Sequence, residues 1–525
     1  MLKKIRLTLE LIFLVGITLL FIDFSGTVQP LLGWMAKAQF LPSLLGLNVA
    51  VLLILLVLTL LLGRIYCSVI CPLGALQDVF ARIGKWKLFR KNKKAKFANK
   101  YSYSKPKTWL RLTVLVLFFA MLIAGFNAGA VLLAPYSVYG RIVAAWLQPA
   151  YIYINNVLAQ WSEANDNYLF YQVEPHNNPA ILLWVAGITA VVLFVLAFLN
   201  GRTYCNTICP VGTILGYVSK YARLKIRVEE DKCVKCGLCA KNCKAACINI
   251  QKDAPATIDP TRCVDCGDCM EVCNKNAIHL APVGVSAQKS KETTKADEDI
   301  NRRKFLSIVG AATVAAAVQA QEKTTDGGLA VIEDKQIPER KTPLTPAGSL
   351  SARNLQQHCT ACQLCIANCP NGVLRSSTAL EHFMQPEMQY EKGYCRPECT
   401  RCADVCPAGA IRPITVEEKT AIQIGHAVWI QQNCIPAEEG IPCGNCARHC
   451  PSGAIQMVPL DKDLKQNEQG QWVDEYGSVL RQDRIIMIPA VNTEKCIGCG
   501  ACEYVCPARP FSAIYVEGHE VHREI

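Results

Sequence analysis

Residues 233–243 read CVKCGLCAKNC and residues 263–273 read CVDCGDCMEVC. Thiols packed this closely along a chain cannot staple distant segments together; they must converge on something small. The chain holds 29 cysteines in 525 residues, and nearly all of them sit in such tight runs. A disulfide framework would space its cysteines across loops and use an even number. No Cys-x-x-Cys-His occurs, so covalent c-type haem is disfavoured. Zinc ribbons pair two Cys-x-x-Cys knuckles and do not repeat three cysteines plus a remote fourth.

The spacing is that of a bacterial two-cluster ferredoxin, in which three close thiolates wrap one 4Fe–4S cube and the fourth ligates the neighbouring cube. This groups Cys233, Cys236 and Cys239 with Cys273, and Cys263, Cys266 and Cys269 with Cys243. Lys244 and Asn274 stand where a proline usually follows the fourth cysteine. Four further sets lie downstream: Cys359, Cys362, Cys365, Cys369; Cys395, Cys399, Cys402, Cys406; Cys434, Cys443, Cys446, Cys450; and Cys496, Cys499, Cys502, Cys506. All four end in Cys-Pro. Their pairing is open: neighbours pair, or the outer two and the inner two. The irregular second and third of these are expected to depart most from a standard cube. About six clusters follow, with Cys247 left over as a spare thiol beside a complete set.

The first part of the chain has another character. Four segments are apolar over about the 20 residues that a membrane span needs: Leu7 to Phe24, Leu44 to Gly63, Thr108 to Leu133 and Ala180 to Asn200. Residues 82–111 contain twelve Lys or Arg and no acid. Between two spans, such a run reads as a cytoplasmic loop rather than a nucleic-acid site. The N-terminus is then cytoplasmic, and residues 135–179, with few cations, face outward. GRIYCSVICPLG at 63–74 matches GRTYCNTICPVG at 201–212 in eight of twelve positions, an internal repeat. It sets Cys67, Cys71, Cys205 and Cys209 at the inner membrane edge. They are candidates for a further redox or metal site, for redox-active thiol pairs, or for separate structural cysteines under Pro72 and Pro210.

Between the halves lies INRRKFLSIVGAATVAAAVQAQ, residues 300–321. Paired Arg302 and Arg303, a mild apolar run and small residues near Ala320 resemble a twin-arginine export signal. The segment is read as a fifth passage, with cleavage after Ala320 open. Charge also changes here: Lys and Arg outnumber Asp and Glu by 36 to 18 in residues 1–320, but are outnumbered 19 to 25 beyond. Different surroundings are implied.

Residues 1–280 resemble the NapH-type membrane ferredoxin, and residues 301–525 resemble the NapG/MauM-type exported ferredoxin, so the whole looks like a fusion of the two. The expected fold is an α-helical membrane domain plus α+β ferredoxin-like 4Fe–4S domains. The domains run 1–217 (membrane), 218–280 (two clusters), 281–300 (linker), 301–321 (signal-like), 322–350 (linker) and 351–525 (four clusters, exported). The resemblance implies menaquinol oxidation at a bacterial inner membrane, with electrons delivered to a redox partner or reductase in the periplasm. Glu10, an ionisable group within a span, and His176 are the candidate quinol-site residues. No Gly-x-Gly-x-x-Gly fingerprint follows a strand, so bound NADH or flavin is not expected as the donor. Two alternatives remain: an accessory reductase of metal or thiols during maturation of another enzyme, and a redox sensor.

Overall fold

The computed structural model describes residues 2–85, 101–174, 178–251, 254–282, 333–461 and 485–525, together with parts of 462–484. The signal-like segment at 300–321 and His176 lie outside the described residues, so neither reading is tested by the fold.

A single apolar helix, Leu2–Ile22, opens the chain. It stops where Asp23 accepts hydrogen bonds from the backbone N–H groups of Ser25, Gly26 and Val28, turning the chain into the helix Gln29–Lys37. Among the described residues, two helices are long and apolar enough to cross a membrane, Lys3–Ile22 and Ala180–Asn200. A third qualifies if the pair Asn127–Leu133 and Pro135–Glu163, bent by 79°, counts as one span.

Four straight spans are therefore not what the described residues build. The expected span from Leu44 is broken by Gly46 and by left-handed Leu47 (φ 51°), leaving Val49–Leu62, capped by Asn48. Its 14 residues reach only ~21 Å at 1.5 Å per residue. The expected third span is likewise divided by left-handed Gly125 into Thr108–Ile123 and Asn127–Leu133. Hydropathy registers the apolar length and not these backbone breaks. Residues 135–179 are also more than a loop, since Pro135–Ile142 and Gln148–Glu163 are helical. Many apolar side chains still point outward from the long helices, among them Leu11, Val15, Ile54, Val57, Ile188 and Val191, as a lipid-facing surface requires.

Two cysteine-rich blocks meet this helical part. The first joins Leu224–Val228 to Ile278–Pro282 in an antiparallel ladder, and Ile248–Asn249 to Thr257–Ile258 in a shorter one. The second holds the longer pairing of Ile422–Trp429 with Ile514–Glu524, plus Ile455–Pro459 with Met487–Val491. They sit at opposite ends of the first helix. Near its start, Lys3 Nζ lies 3.1 Å from Asp268 of the first block. Near its end, Asn368 of the second block donates to the Leu20 carbonyl at 3.2 Å, and Arg401 donates to the carbonyls of Phe24 and Ser25. Gln148 and Ser137 add bonds to the carbonyls of Ala367 and Thr360.

The first block is seated by buried charge. Asp78 is fully enclosed; its Oδ1 lies 2.6 Å from Arg202 Nε, and its other oxygen meets Lys244. Arg6 pairs with both Asp78 and Glu10, and Arg82 lies 3.5 Å from Glu10. This one network ties the first helix, both repeats and the first block together. Asp78→Ala removes the anion shared by three buried cations, Arg6, Arg202 and Lys244; thermal unfolding in detergent should show a loss of about 3–5 kcal/mol, and a change near zero would remove the network from the stability of the fold. A second expectation concerns the second block. His522, bonded to Thr345 Oγ1 at 2.9 Å, is held neutral by burial, its pKa pushed down to about 4. An unfolded histidine titrates near 6.5, so this contribution is whole above about pH 6.5 and fades as pH falls toward 4. His522→Asn should flatten that part of the stability–pH curve; an unchanged curve would contradict the assignment.

Candidate iron–sulfur sites

The short loops explain how three thiols reach one point. In the four regular sets the middle cysteine stands between two left-handed residues: Lys235 and Gly237, Asp265 and Gly267, Ala361 and Gln363, Gly498 and Gly500. Left-handed backbone is costly for most residues and free for glycine, which is why glycine takes the second place in three of the four. Five sets turn left-handed again three residues past the fourth cysteine, at Ala246, Asn276, Gly372, Gly409 and Gly453. Among the described residues, the irregular sets beginning at Cys395 and Cys434 have no such flanking pair. Their wider spacing takes its place.

The sulfurs gather in six groups of four. One cavity is lined by Cys233, Cys236, Cys239 and Cys273, the expected grouping. Its companion brings Cys269 into the electrostatic reach of Cys266, Cys263 and Cys243. The open pairing in the second block resolves to neighbours. Cys359, Cys362 and Cys365 share a cavity with Cys406, while Cys402 lies with Cys395, Cys399 and Cys369. Cys434, Cys443 and Cys446 share one with Cys506, and Cys502 lies with Cys499, Cys496 and Cys450. The Cys395 N–H donates to the Cys499 carbonyl at 2.9 Å, joining the two pairs into a row of four sites.

The donor sets fit a cube better than a single ion. Among the described residues, no three or more His, Cys, Asp or Glu side chains are drawn together for one metal ion, whereas zinc needs its sulfurs about 2.3 Å from one point. Burial pushes Cys239 to about 11 and Cys499 to about 12. Thiols raised in this way are neutral at neutral pH, and ligation by them releases protons. Cys247 is buried with its sulfur 3.5 Å from Cys243; its donated hydrogen bond holds Cys243 down at about 6. A spare thiol touching a ligand, rather than an added ligand, suits its place.

The remaining candidates behave differently. Cys67, Cys71, Cys205 and Cys209 are all buried and interact electrostatically with one another. Glu10, only 3% exposed, is enclosed by Arg6, Arg82 and Arg202; it faces cations rather than an open cavity. Sequence reasoning passed over Arg64 and Arg202, although both follow glycine at identical places in the repeat. It also passed over Asp78, which no local motif marks, and gave Lys244 and Asp265 no role beyond their places in the cysteine motifs.

Comparison with known proteins fits this geometry. The 4Fe–4S dicluster domain family matches residues 232–277, 358–410 and 441–509, which again pairs neighbouring sets. A 4Fe–4S binding domain family matches residues 44–94 and 182–229, the two copies of the repeat. The methylamine utilization ferredoxin-type protein MauM of Methylophilus methylotrophus is 31% identical over 212 residues, covering 39% of this chain and 79% of that protein. The ferredoxin-type protein NapG of Escherichia coli is 26% identical over 197 residues, covering 35% and 76%. The putative electron transport protein YccM of the same organism is 28% identical over 205 residues, covering 39% of this chain and 47% of its own length. No solved structure matches the chain. The fold and its cysteine sets define a ferredoxin-type iron–sulfur electron-transfer protein. Within that class, the chain belongs to the MauM family of ferredoxin-type proteins.

Gly500 offers a local test. A Cβ there would meet the buried Tyr390 ring at 2.2 Å, on backbone at φ +79°. Gly500→Ala combines left-handed strain with overpacking, about 2–5 kcal/mol. The purified variant should lose about four irons, one cube, while keeping the rest. Full iron content would mean that this loop does not set the cluster.

Proposed function

We propose that the chain is a membrane-bound electron-transfer protein, a NapH-like and a NapG-like unit in one polypeptide, that passes electrons from menaquinol to a reductase outside the cytoplasm. The observation that carries this reading is the placement of the two cysteine-rich blocks at opposite ends of the helix Leu2–Ile22. Its 21 residues span ~30 Å, about the thickness of the hydrocarbon layer. The basic run at 82–111 supports a cytoplasmic first block, and the more acidic residues 321–525 support an exported second one.

When bound, the clusters supply one-electron transfer. The protein's own contribution is to hold them in order and keep water away. Of the site cysteines, Cys239, Cys266, Cys362, Cys434 and Cys502 are buried, and Cys236 is exposed. Cys236, exposed at the surface of its site, is the natural contact for a soluble partner of the first block. In the second block the row of four sites starts against the helical part at Cys362, whose carbonyl abuts Gly140. It ends at the Cys434 site.

The test is to reconstitute the purified protein in lipid vesicles, add a menaquinol, and follow bleaching of the cluster absorbance. Reduction by menaquinol and rapid reoxidation by an added acceptor are expected. Clusters that stay oxidised with menaquinol, in a protein that reduces copper or disulfides from another donor, would favour the accessory-reductase reading instead.

A further inference from the structure

Of the groups that the six sites leave unused, the strongest is built by the repeat itself. Gly63 and Gly201 end their helices with left-handed backbone, at φ 74° and 72°. The arginine after each then turns inward. The arrangement is reciprocal: Arg64 donates to the Cys205 carbonyl at 3.2 Å, and Arg202 donates to the Cys67 carbonyl. Each guanidinium thus crosses to the other copy, and the two copies form one site. Gly74 and Gly212 complete the symmetry. A Cβ at either would strike the carbonyl of Cys67 or of Cys205 and crowd the crossing arginine.

Charge gives a second, independent observation. Arg202 is neutralised by Asp78. Arg64 is fully buried, yet its guanidinium meets only the Asn206 amide oxygen, the carbonyls of Thr261 and Cys205, and Cys67 sulfur at 3.8 Å. Among the described residues it has no ion-pair partner, and its Nε has no hydrogen-bond acceptor. An uncompensated buried cation costs several kcal/mol. Gln77 Nε2 also aims an N–H at Cys205 sulfur, at 3.2 Å. Donors surround these sulfurs, while the Asp265 carboxylate, within electrostatic reach of Arg64, accepts its backbone N–H and forms no ion pair with its guanidinium.

We infer that Cys67, Cys71, Cys205 and Cys209 together hold one further 4Fe–4S cluster, shared between the two copies of the repeat, whose negative charge is met by Arg64. Four thiolates are the donor set that such a cluster needs, and each copy alone supplies only two. Two disulfides would use the same sulfurs but leave the Arg64 guanidinium without a direct ion-pair partner among the described residues.

The location adds to the argument. On one side, the Arg64 backbone N–H donates to Asp265 at 2.9 Å, and Asp265 lies between Cys263 and Cys266 of the first block. On the other side stand two buried tyrosines. Tyr66 is in electrostatic reach of Cys71 and Cys67, and Tyr136 of Cys362, Cys406 and Tyr66. A centre here lies between the two blocks, where a layer about 30 Å thick would otherwise separate them.

The test is native mass spectrometry of the full-length protein purified without oxygen, with iron and acid-labile sulfide assayed in parallel. Seven cluster increments, about 28 irons, are expected in the fully loaded species. The Cys67→Ser/Cys205→Ser double variant should stop at six. Six increments in the wild type, with these four cysteines recovered as disulfides or as alkylatable thiols, would overturn the inference even if the variant failed to fold. Arg64→Gln should lower occupancy of the seventh centre and leave the other six loaded; an unchanged seven would remove Arg64 from the site. The count is independent of whether menaquinol is the donor, so this inference and the proposed function can fail separately.

Discussion

The Asp78 carboxylate holds the architecture together. It is wholly buried, and it answers Arg202 of the second repeat, Lys244 of the first cysteine-rich block and Arg6 of the first helix. Removing charge from water is expensive, and only mutual pairing offsets the cost. One carboxylate therefore fixes how the two repeats meet and where the first block docks. Surface pairs such as Lys232 with Glu229 contribute little by comparison.

The docking uses the same residues that end the helices. Gly63 lies against the Asp265 carboxylate and Gly201 against the Lys244 carbonyl, so a Cβ at either place would push the first block away. A single Gly-Arg pair in each copy thus stops a helix, admits the block and sends a guanidinium across to the other copy. At the far end of the first helix the contacts are polar bonds to helix-end carbonyls. Those carbonyls lack partners within their own helix; the second block supplies them.

Most of the cysteine chemistry was legible because it is local. Two or three residues between thiols and a left-handed residue on either side of the middle one are properties of a few neighbouring positions. The pairing of the four later sets was not legible, because Cys406 joins Cys359 only through the packing of the whole block. Cys434 is the clearest case, nine residues ahead of Cys443 and brought back by the fold. Hydropathy misjudged the second and third spans, since an apolar run records composition while Leu47 and Gly125 break the helix through backbone angle. The crossing arginines were visible as repeated letters, but their reach into the opposite copy is a tertiary property. Glu10 was noted as an ion in an apolar helix; the three arginines around it come from elements that no spacing rule connects.

The central claim is that the two cysteine-rich blocks lie on opposite sides of one membrane, and its most direct measurement is protease accessibility of a tag placed after Ile525, in cells whose outer barrier has been opened. Digestion of the tag with the membrane intact, while a tag at the N-terminus stays protected, is the expected result. Protection of both tags until the membrane is lysed would put all the clusters on the cytoplasmic side and contradict electron delivery across the membrane.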